Sequence, residues 1–194
     1  MALKVTVKVS SITNLSDARY CAGMGVHMLG FVTVPGRAGY IPPKAFQDLR
    51  GWFAGPQVVA EVYGIRQLEE LERIKAAYLP DLLEGGQKEL PLLKEAGLPY
   101  ILNVQASFLE NQHIPPDFRP AFLMTDTTVS TEALRMASQV SPVLIQLPDR
   151  DATRYLHLPV SGFVLTGGDE ERPGLKDYDH LSSVLEQLEC DASQ

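Results

Sequence analysis

Eight times along 194 residues a short apolar run gives way to a segment with helical spacing, with no composition break of the kind a linker makes. This alternation constrains the fold more than any single motif. Strands that alternate with helices build a parallel sheet, because each helix carries the chain back for the next strand. The apolar runs fall at 5–10, 28–34, 58–63, 81–84, 100–104, 121–125, 143–147 and 160–165. Most are nearly continuous, as expected of strands covered on both faces. Helices are expected over 15–24, from Pro43, from 67, over 90–96, from a Ser130 cap to 139, over 149–156, and after Asp177. The stretch 106–116 is weaker and reads as one helical turn and a loop. Pro43 suits a first helical turn, where a missing N–H costs nothing. Leu68, Leu71, Ile74 and Tyr78 share one helical face, as do Leu181, Val184, Leu185 and Leu188.

Eight such units, in strands without the polar alternation of an exposed edge, predict a closed single-domain (β/α)8 barrel over residues 1–194. This is the TIM-barrel class in compact form, since such barrels commonly take about 250 residues. A doubly wound open sheet is the alternative. No GxGxxG follows the first strand and no GxxxxGK[ST] occurs, so nucleotide folds with those fingerprints gain no support.

Composition excludes several function classes. A hydrophobic fraction of 45% and a charged fraction of 21% are ordinary for a globular protein. The net charge of −7 argues against a nucleic-acid surface or an anionic membrane surface. No apolar run approaches the roughly 20 residues of a membrane span, and the alternating N-terminus does not read as a signal peptide. Cys21 and Cys190 are far apart and in no ligand spacing, which predicts two free thiols and a cytoplasmic location. Cys21 reads as a helix packing residue. The four histidines are isolated, so no metal site is expected.

The first βα junction carries the most information. Val5, Val7 and Val9 place β-branched residues at alternate positions of a strand. Asn14 is positioned to cap a helix by accepting from the Asp17 N–H, and Asp17 adds negative charge to the first turn. Ser10 then stands at the carboxyl end of the first strand, where parallel α/β folds gather their chemistry.

The stretch from Val7 to Asp17 reads Val-Lys-Val-Ser-Ser-Ile-Thr-Asn-Leu-Ser-Asp. It resembles the opening of the phosphoribosylanthranilate isomerase family, which begins Lys-Ile-Cys-Gly-Ile-Thr with an Asn-x-x-Asp helix start shortly after. The resemblance continues through Leu29-Gly30-Phe31 and residues 40–43. It returns over 162–177, where Gly168, Pro173-Gly174 and Lys176-Asp177 resemble the family's Ser-Gly-Val-Glu…Pro-Gly-x-Lys-Asp close. The middle third matches in the order of its elements.

The resemblance implies a tryptophan-pathway barrel that catalyses an Amadori rearrangement, turning an aminoaldose phosphate into an aminoketose phosphate. It implies a cysteine base on the first strand, an aspartic acid on the sixth, and backbone donors for the phosphate, with no organic cofactor. Asp126 corresponds to the acid; its other reading is a helix-entry aspartate in a Thr-Asp-Thr-Thr turn. Ser10 stands in the cysteine's place and Ser11 in that of a glycine. A thiolate is accessible near neutral pH, whereas a serine hydroxyl needs an adjacent base. No histidine falls at a predicted strand carboxyl end to serve as that base, and the other reading of Ser10 is a small turn residue.

Thr166, Gly167 and Gly168 close the eighth strand and are the candidate phosphate cradle, where glycines allow close backbone approach. On the seventh strand the family's Gly-Gly stretch is replaced by Ile145-Gln146-Leu147-Pro148, which removes a donor. The acidic run from Asp169 to Glu171 reads as a solvated loop. Arg37, the one cation in the loop after the second strand, is the candidate for the substrate's anthranilate carboxylate, two residues before the family's arginine position. Glu84 reads as a strand-end carboxylate without a family role: a replacement base or a capping group.

Three functions follow. The first is N-(5-phosphoribosyl)anthranilate isomerisation with Asp126, Ser10, Arg37, Thr166, Gly167 and Gly168 as site residues, acting on a small phosphorylated sugar-type ligand as a monomer or homodimer. The second is a barrel that has lost this activity and binds another phosphorylated ligand or an assembly partner. The third is different aldose–ketose or lyase chemistry through Glu84 or Asp126.

Overall fold

A computed structural model of the chain describes residues 2–111, 118–148, 151–167, 170–172, 175–176 and 179–189. Eight parallel strands close into a barrel: β1 (Thr6–Ser10), β2 (Met28–Val32), β3 (Gln57–Glu61), β4 (Leu82–Gly86), β5 (Tyr100–Asn103), β6 (Phe122–Thr125), β7 (Val143–Gln146) and β8 (Gly162–Thr166). The helices are α1 (Leu15–Gly23), α2 (Pro43–Arg50), α3 (Leu68–Tyr78), α4 (Leu90–Glu95), α5 (Ala106–Asn111), α6 (Thr131–Ser138) and α7 (Asp179–Gln187). A short 3₁₀ turn, Ala152–Tyr155, stands where a helix over 149–156 was expected.

The local rules account for the helix entries. Asn14 accepts from the Asp17 N–H at 2.9 Å to start α1. Pro43 opens α2, and the Ser130 hydroxyl accepts from Ala133 N–H to start α6. Cys21 is fully buried in α1, in keeping with a packing role. Leu181, Val184, Leu185 and Leu188 are all buried. Cys190 lies outside the described residues.

Closure depends on a close approach at the β1–β8 seam. The pairing runs in register from Thr6 with Gly162 to Ser10 with Thr166. A Cβ at Gly162 would lie 1.8 Å from the Thr6 carbonyl oxygen, so only glycine admits this contact.

Two apolar cores result. The outer one fills the annulus between sheet and helices, with Phe31 edge-on to Phe46 at 5.0 Å and Phe46 tilted against Tyr78 at 5.1 Å. The inner one plugs the barrel with Met28, Val59, Leu82, Ile101, Met124, Leu144 and Val164.

Two sequence expectations need correction. The fourth strand does not stop at 84 as expected: Gly85 and Gly86 are its last two residues, paired with Leu102 and Asn103. Their conformation is fixed from β5 and from Glu89, whose carboxylate accepts the Gly86 N–H at 2.9 Å. The acidic run is not simply a loop. Asp169 lies outside the described residues, but Glu170–Arg172 form a strand, β9, antiparallel to β10 (Leu175–Lys176). Backbone pairing with a neighbour overrides the low strand propensity of glutamate.

Candidate active site

Directly above the apolar plug, toward the carboxyl ends of the strands, the barrel interior turns polar. Lys8 on β1, Glu61 on β3 and Glu84 on β4 all point inward, and all three are buried. Lys8 shares the register level of Met28 and Val164, so its four-carbon stem starts within the plug and lifts the ammonium upward. There Nζ lies 2.8 Å from Glu61 Oε1, 2.6 Å from Glu84 Oε2 and 2.5 Å from Ser10 Oγ. The Glu84 contact is a buried ion pair. The second Glu84 oxygen accepts from the Tyr63 hydroxyl at 2.7 Å, and the Asn103 amide donates to that hydroxyl at 3.1 Å.

One ammonium thus faces two carboxylates in a dry setting. Burial alone lowers the pKa of Lys8, but the charges of Glu61 and Glu84 outweigh it and hold the ammonium above its ordinary value. Glu84 is displaced upward: burial is the main cause, Lys8 opposes it, and the Glu61 charge adds to it. Tyr63 is also pushed up, by burial and then by the Glu84 charge.

Backbone geometry shapes this cluster. A Cβ at Gly30 would lie 2.0 Å from Glu61 Oε1 and 2.8 Å from Lys8 Nζ, so the glycine leaves the space the ion pair occupies. Ser11 has φ 58, the left-handed region that costs an L-residue about 1–2 kcal/mol. In that conformation its N–H donates to Glu61 Oε1 at 3.2 Å and its hydroxyl approaches Oε2 at 3.4 Å.

Of the sequence candidates, Ser10 touches the cluster and Arg37 lines a cleft that Glu61 also lines. Ser10 is half-buried at the end of β1, its hydroxyl oxygen accepting from Lys8. Arg37 lies on the rim of a cleft of about 440 Å3 that it shares with Ser11, Val32, Glu61 and Tyr63. Its guanidinium covers Gly64, where a Cβ would sit 3.4 Å from Nη1. Asp126 is exposed just after β6, its Oδ1 accepting from the Thr128 N–H at 2.7 Å and the Thr128 hydroxyl at 2.5 Å. Thr166 is exposed at the end of β8, and the Gly167 N–H donates to the Ser10 carbonyl at 3.0 Å. Gly168 lies outside the described residues. The β1–β8 seam therefore joins Ser10 to Thr166 and Gly167, and Arg37 joins the Glu61 side. Glu84 is neither at a strand end nor open to solvent; two strand residues follow it and it is fully withdrawn beneath Tyr63.

Sequence reasoning missed Lys8, Glu61, Tyr63 and Asn103. The signal was present in the period of two. Against the expectation of strands without polar alternation, β1 carries a polar face, with Thr6, Lys8 and Ser10 alternating with Val5, Val7 and Val9. A closed barrel turns that face into the lumen. Among the histidines, His27 sits before β2 and accepts the Val7 N–H at 3.1 Å, away from the site; His113 lies outside the described residues.

No family model matches the chain. Two curated relatives do, both named N-(5′-phosphoribosyl)anthranilate isomerase. The one from Synechococcus sp. strain JA-2-3B'a(2-13) is 27% identical over 218 positions, covering 95% of this chain and 91% of its own. The one from strain JA-3-3Ab is 26% identical, covering 98% and 94%. The chain is similar to both over nearly its whole length.

Solved structures agree on the fold. The family's enzyme from Thermus thermophilus superposes with a TM-score of 0.74 at 22% identity, covering 94% of this chain and 98% of that one. A phosphoribosylanthranilate isomerase bound to reduced 1-(o-carboxyphenylamino)-1-deoxyribulose 5-phosphate gives 0.78 at 18% identity, covering 94% and 97%. The left-handed backbone of Ser11 supplies a reason for the family's glycine at that position, since glycine takes a positive φ without strain.

Proposed function

We propose that the protein catalyses the Amadori rearrangement of N-(5-phosphoribosyl)anthranilate, or of a close aminoaldose phosphate, at the carboxyl ends of its barrel strands. The observation that carries this reading is the relatedness to two N-(5′-phosphoribosyl)anthranilate isomerases over nearly the whole length of both chains. In this reading Asp126 protonates the ring oxygen as the sugar opens. Arg37, on the rim of the cleft, pairs with the anthranilate carboxylate. Thr166, Gly167 and Gly168 hold the phosphate, and Ser10 occupies the position of the base. The enzyme works in the cytoplasm without metal or organic cofactor, as a monomer or homodimer.

One observation favours a second reading, a barrel that keeps the ligand cup and has lost the reaction. The Lys8 ammonium donates to Ser10, so it cannot also take the serine proton. The decisive test follows loss of anthranilate-type fluorescence from freshly made phosphoribosylanthranilate. Turnover by the wild type, reduced about 100-fold or more in Asp126→Asn as expected for loss of a general acid, supports the isomerase. Folded protein that binds the reduced product analogue without turnover supports the second reading. Neither turnover nor binding sinks both.

A further inference from the structure

The rearrangement needs a group that accepts the proton from C2′, and the serine at position 10 is a poor one. We infer that Glu61 is that base, the carboxylate on β3 having taken over from the side chain at the end of β1. This rests on the isomerase reading above and adds to it a residue on a different strand.

Three observations carry the assignment. The first is proximity. Ser10 Oγ and Glu61 Oε1 bind the same ammonium, at 2.5 and 2.8 Å, so the two oxygens lie within about 5.3 Å of each other. A proton at C2′ within reach of position 10 is therefore within one side chain's adjustment of Glu61. The second is access. Glu61 lines the cleft under Arg37, together with Ser11 and Tyr63, whereas Glu84 is sealed below Tyr63 and bonded to it. The third is the hydrogen-bond pattern. Lys8 and the Ser11 N–H both bind Oε1 and stabilise a carboxylate there. Among the described residues Oε2 has only the long 3.4 Å contact to the Ser11 hydroxyl, and it is the oxygen left to accept a proton. The strained backbone at Ser11 and the missing Cβ at Gly30 both serve this same carboxylate.

The step balances within the substrate. After ring opening the substrate is a protonated imine at C1′. Glu61 Oε2 takes the proton from C2′, and the electrons of that C–H bond form the C1′=C2′ double bond as the imine π pair moves to nitrogen. The enolamine then becomes the ketone when C1′ takes a proton and the C2′ hydroxyl gives one up, so nothing is oxidised or reduced overall. Lys8 is a positioning residue: it fixes Glu61 and orients Ser10 without meeting the substrate.

The test uses the full chain, with turnover of phosphoribosylanthranilate and binding of the reduced product analogue measured on each variant. Glu61→Asp keeps the charge opposite Lys8, and with it the fold, but withdraws the carboxylate by one methylene. It is expected to lower kcat about 10- to 100-fold with KM and analogue affinity within about threefold, since a displacement of about 1 Å costs up to about 100-fold. Glu61→Gln is expected to lose about 100-fold or more, and Ser10→Ala less than tenfold. An active wild type whose Glu61→Asp variant keeps full kcat, or whose Ser10→Ala variant loses what Glu61→Gln retains, overturns the assignment of Glu61 and leaves the isomerase standing. A wild type that binds the analogue and never turns substrate over overturns the isomerase itself, and the base with it.

Discussion

Lys8 Nζ and Glu84 Oε2 lie 2.6 Å apart with both side chains withdrawn from solvent. Breaking such a pair costs more than making it gains, because the surviving charge stays buried without compensation. Lys8→Met is therefore expected to destabilise the protein by about 3–5 kcal/mol, read from the midpoint of urea unfolding. Adding Glu61→Gln and Glu84→Gln to Lys8→Met removes the two stranded charges and should recover part of the loss. A single variant as stable as wild type would show that the ion pair contributes nothing.

The same relationship sets a pH dependence. The folded-state pKa of Glu84 is raised above its ordinary value near 4.5, by burial first and with Glu61 adding to it against Lys8. Between the ordinary value and the raised folded one, the unfolded chain gives up this proton while the folded chain still holds it, so the native state binds more protons there and stability falls as pH rises; above that window Glu84 is the ionised partner of Lys8. The contribution is complete below the unfolded value and is lost as pH passes the raised folded value. Unfolding free energies measured from pH 4.5 upward should show this fall in wild type and lack it in Glu84→Gln. Lys8, also raised, adds a second loss on the alkaline side, above its ordinary value of 10.5.

Gly30 makes room for the cluster. Gly30→Ala would place a methyl group 2.0 Å from Glu61 Oε1, an oxygen held by both Lys8 and Ser11 and not free to swing aside. Overpacking of this kind costs about 1–3 kcal/mol. The urea midpoint should fall accordingly, and turnover should fall beyond what the lost stability explains, because Glu61 is displaced.

Glu89 ties the loop after β3 to the end of β4. One of its oxygens accepts the Gly64 N–H and the other the Gly86 N–H, both at 2.9 Å. Hydrogen bonds to a charged group contribute about 1.5–3 kcal/mol each, so losing both in Glu89→Ala should cost at least about 3 kcal/mol. Amide exchange at Gly64 and Gly86 should quicken ahead of exchange in the barrel strands; unchanged protection there would contradict the clamp.

Leu79 follows α3 with φ 45 and its side chain 78% exposed. It carries the strain of the left-handed region without burying its side chain in return. Leu79→Gly relieves that strain, partly offset by the greater freedom of glycine in the unfolded chain. The net gain should be about 0.5–1 kcal/mol, or about 2–4 °C in melting temperature for each kcal/mol in a domain of this size. Calorimetry showing no rise would place the strain elsewhere.

The sequence by itself determined the order of eight strands and the Asn14, Ser130 and Pro43 helix starts, and it favoured a closed barrel over an open sheet; the tertiary structure decided for closure. Strand order and helix starts are local or periodic properties: a cap needs neighbours three residues away, and a strand covered on both faces needs only an apolar run. The resemblance at the chain's two ends pointed to the family, and Ser10, Thr166 and Gly167 do meet at the seam where β1 and β8 pair. What lies inside the barrel was decided by the tertiary structure. Lys8, Glu61 and Glu84 are separated by 53 residues and then 23 along the chain, and nothing local tells whether a strand lysine faces water or the lumen. Closure removes the solvent face, so three charges that an open sheet would scatter are forced onto one another. There they become a buried ion cluster with one carboxylate turned to the cleft.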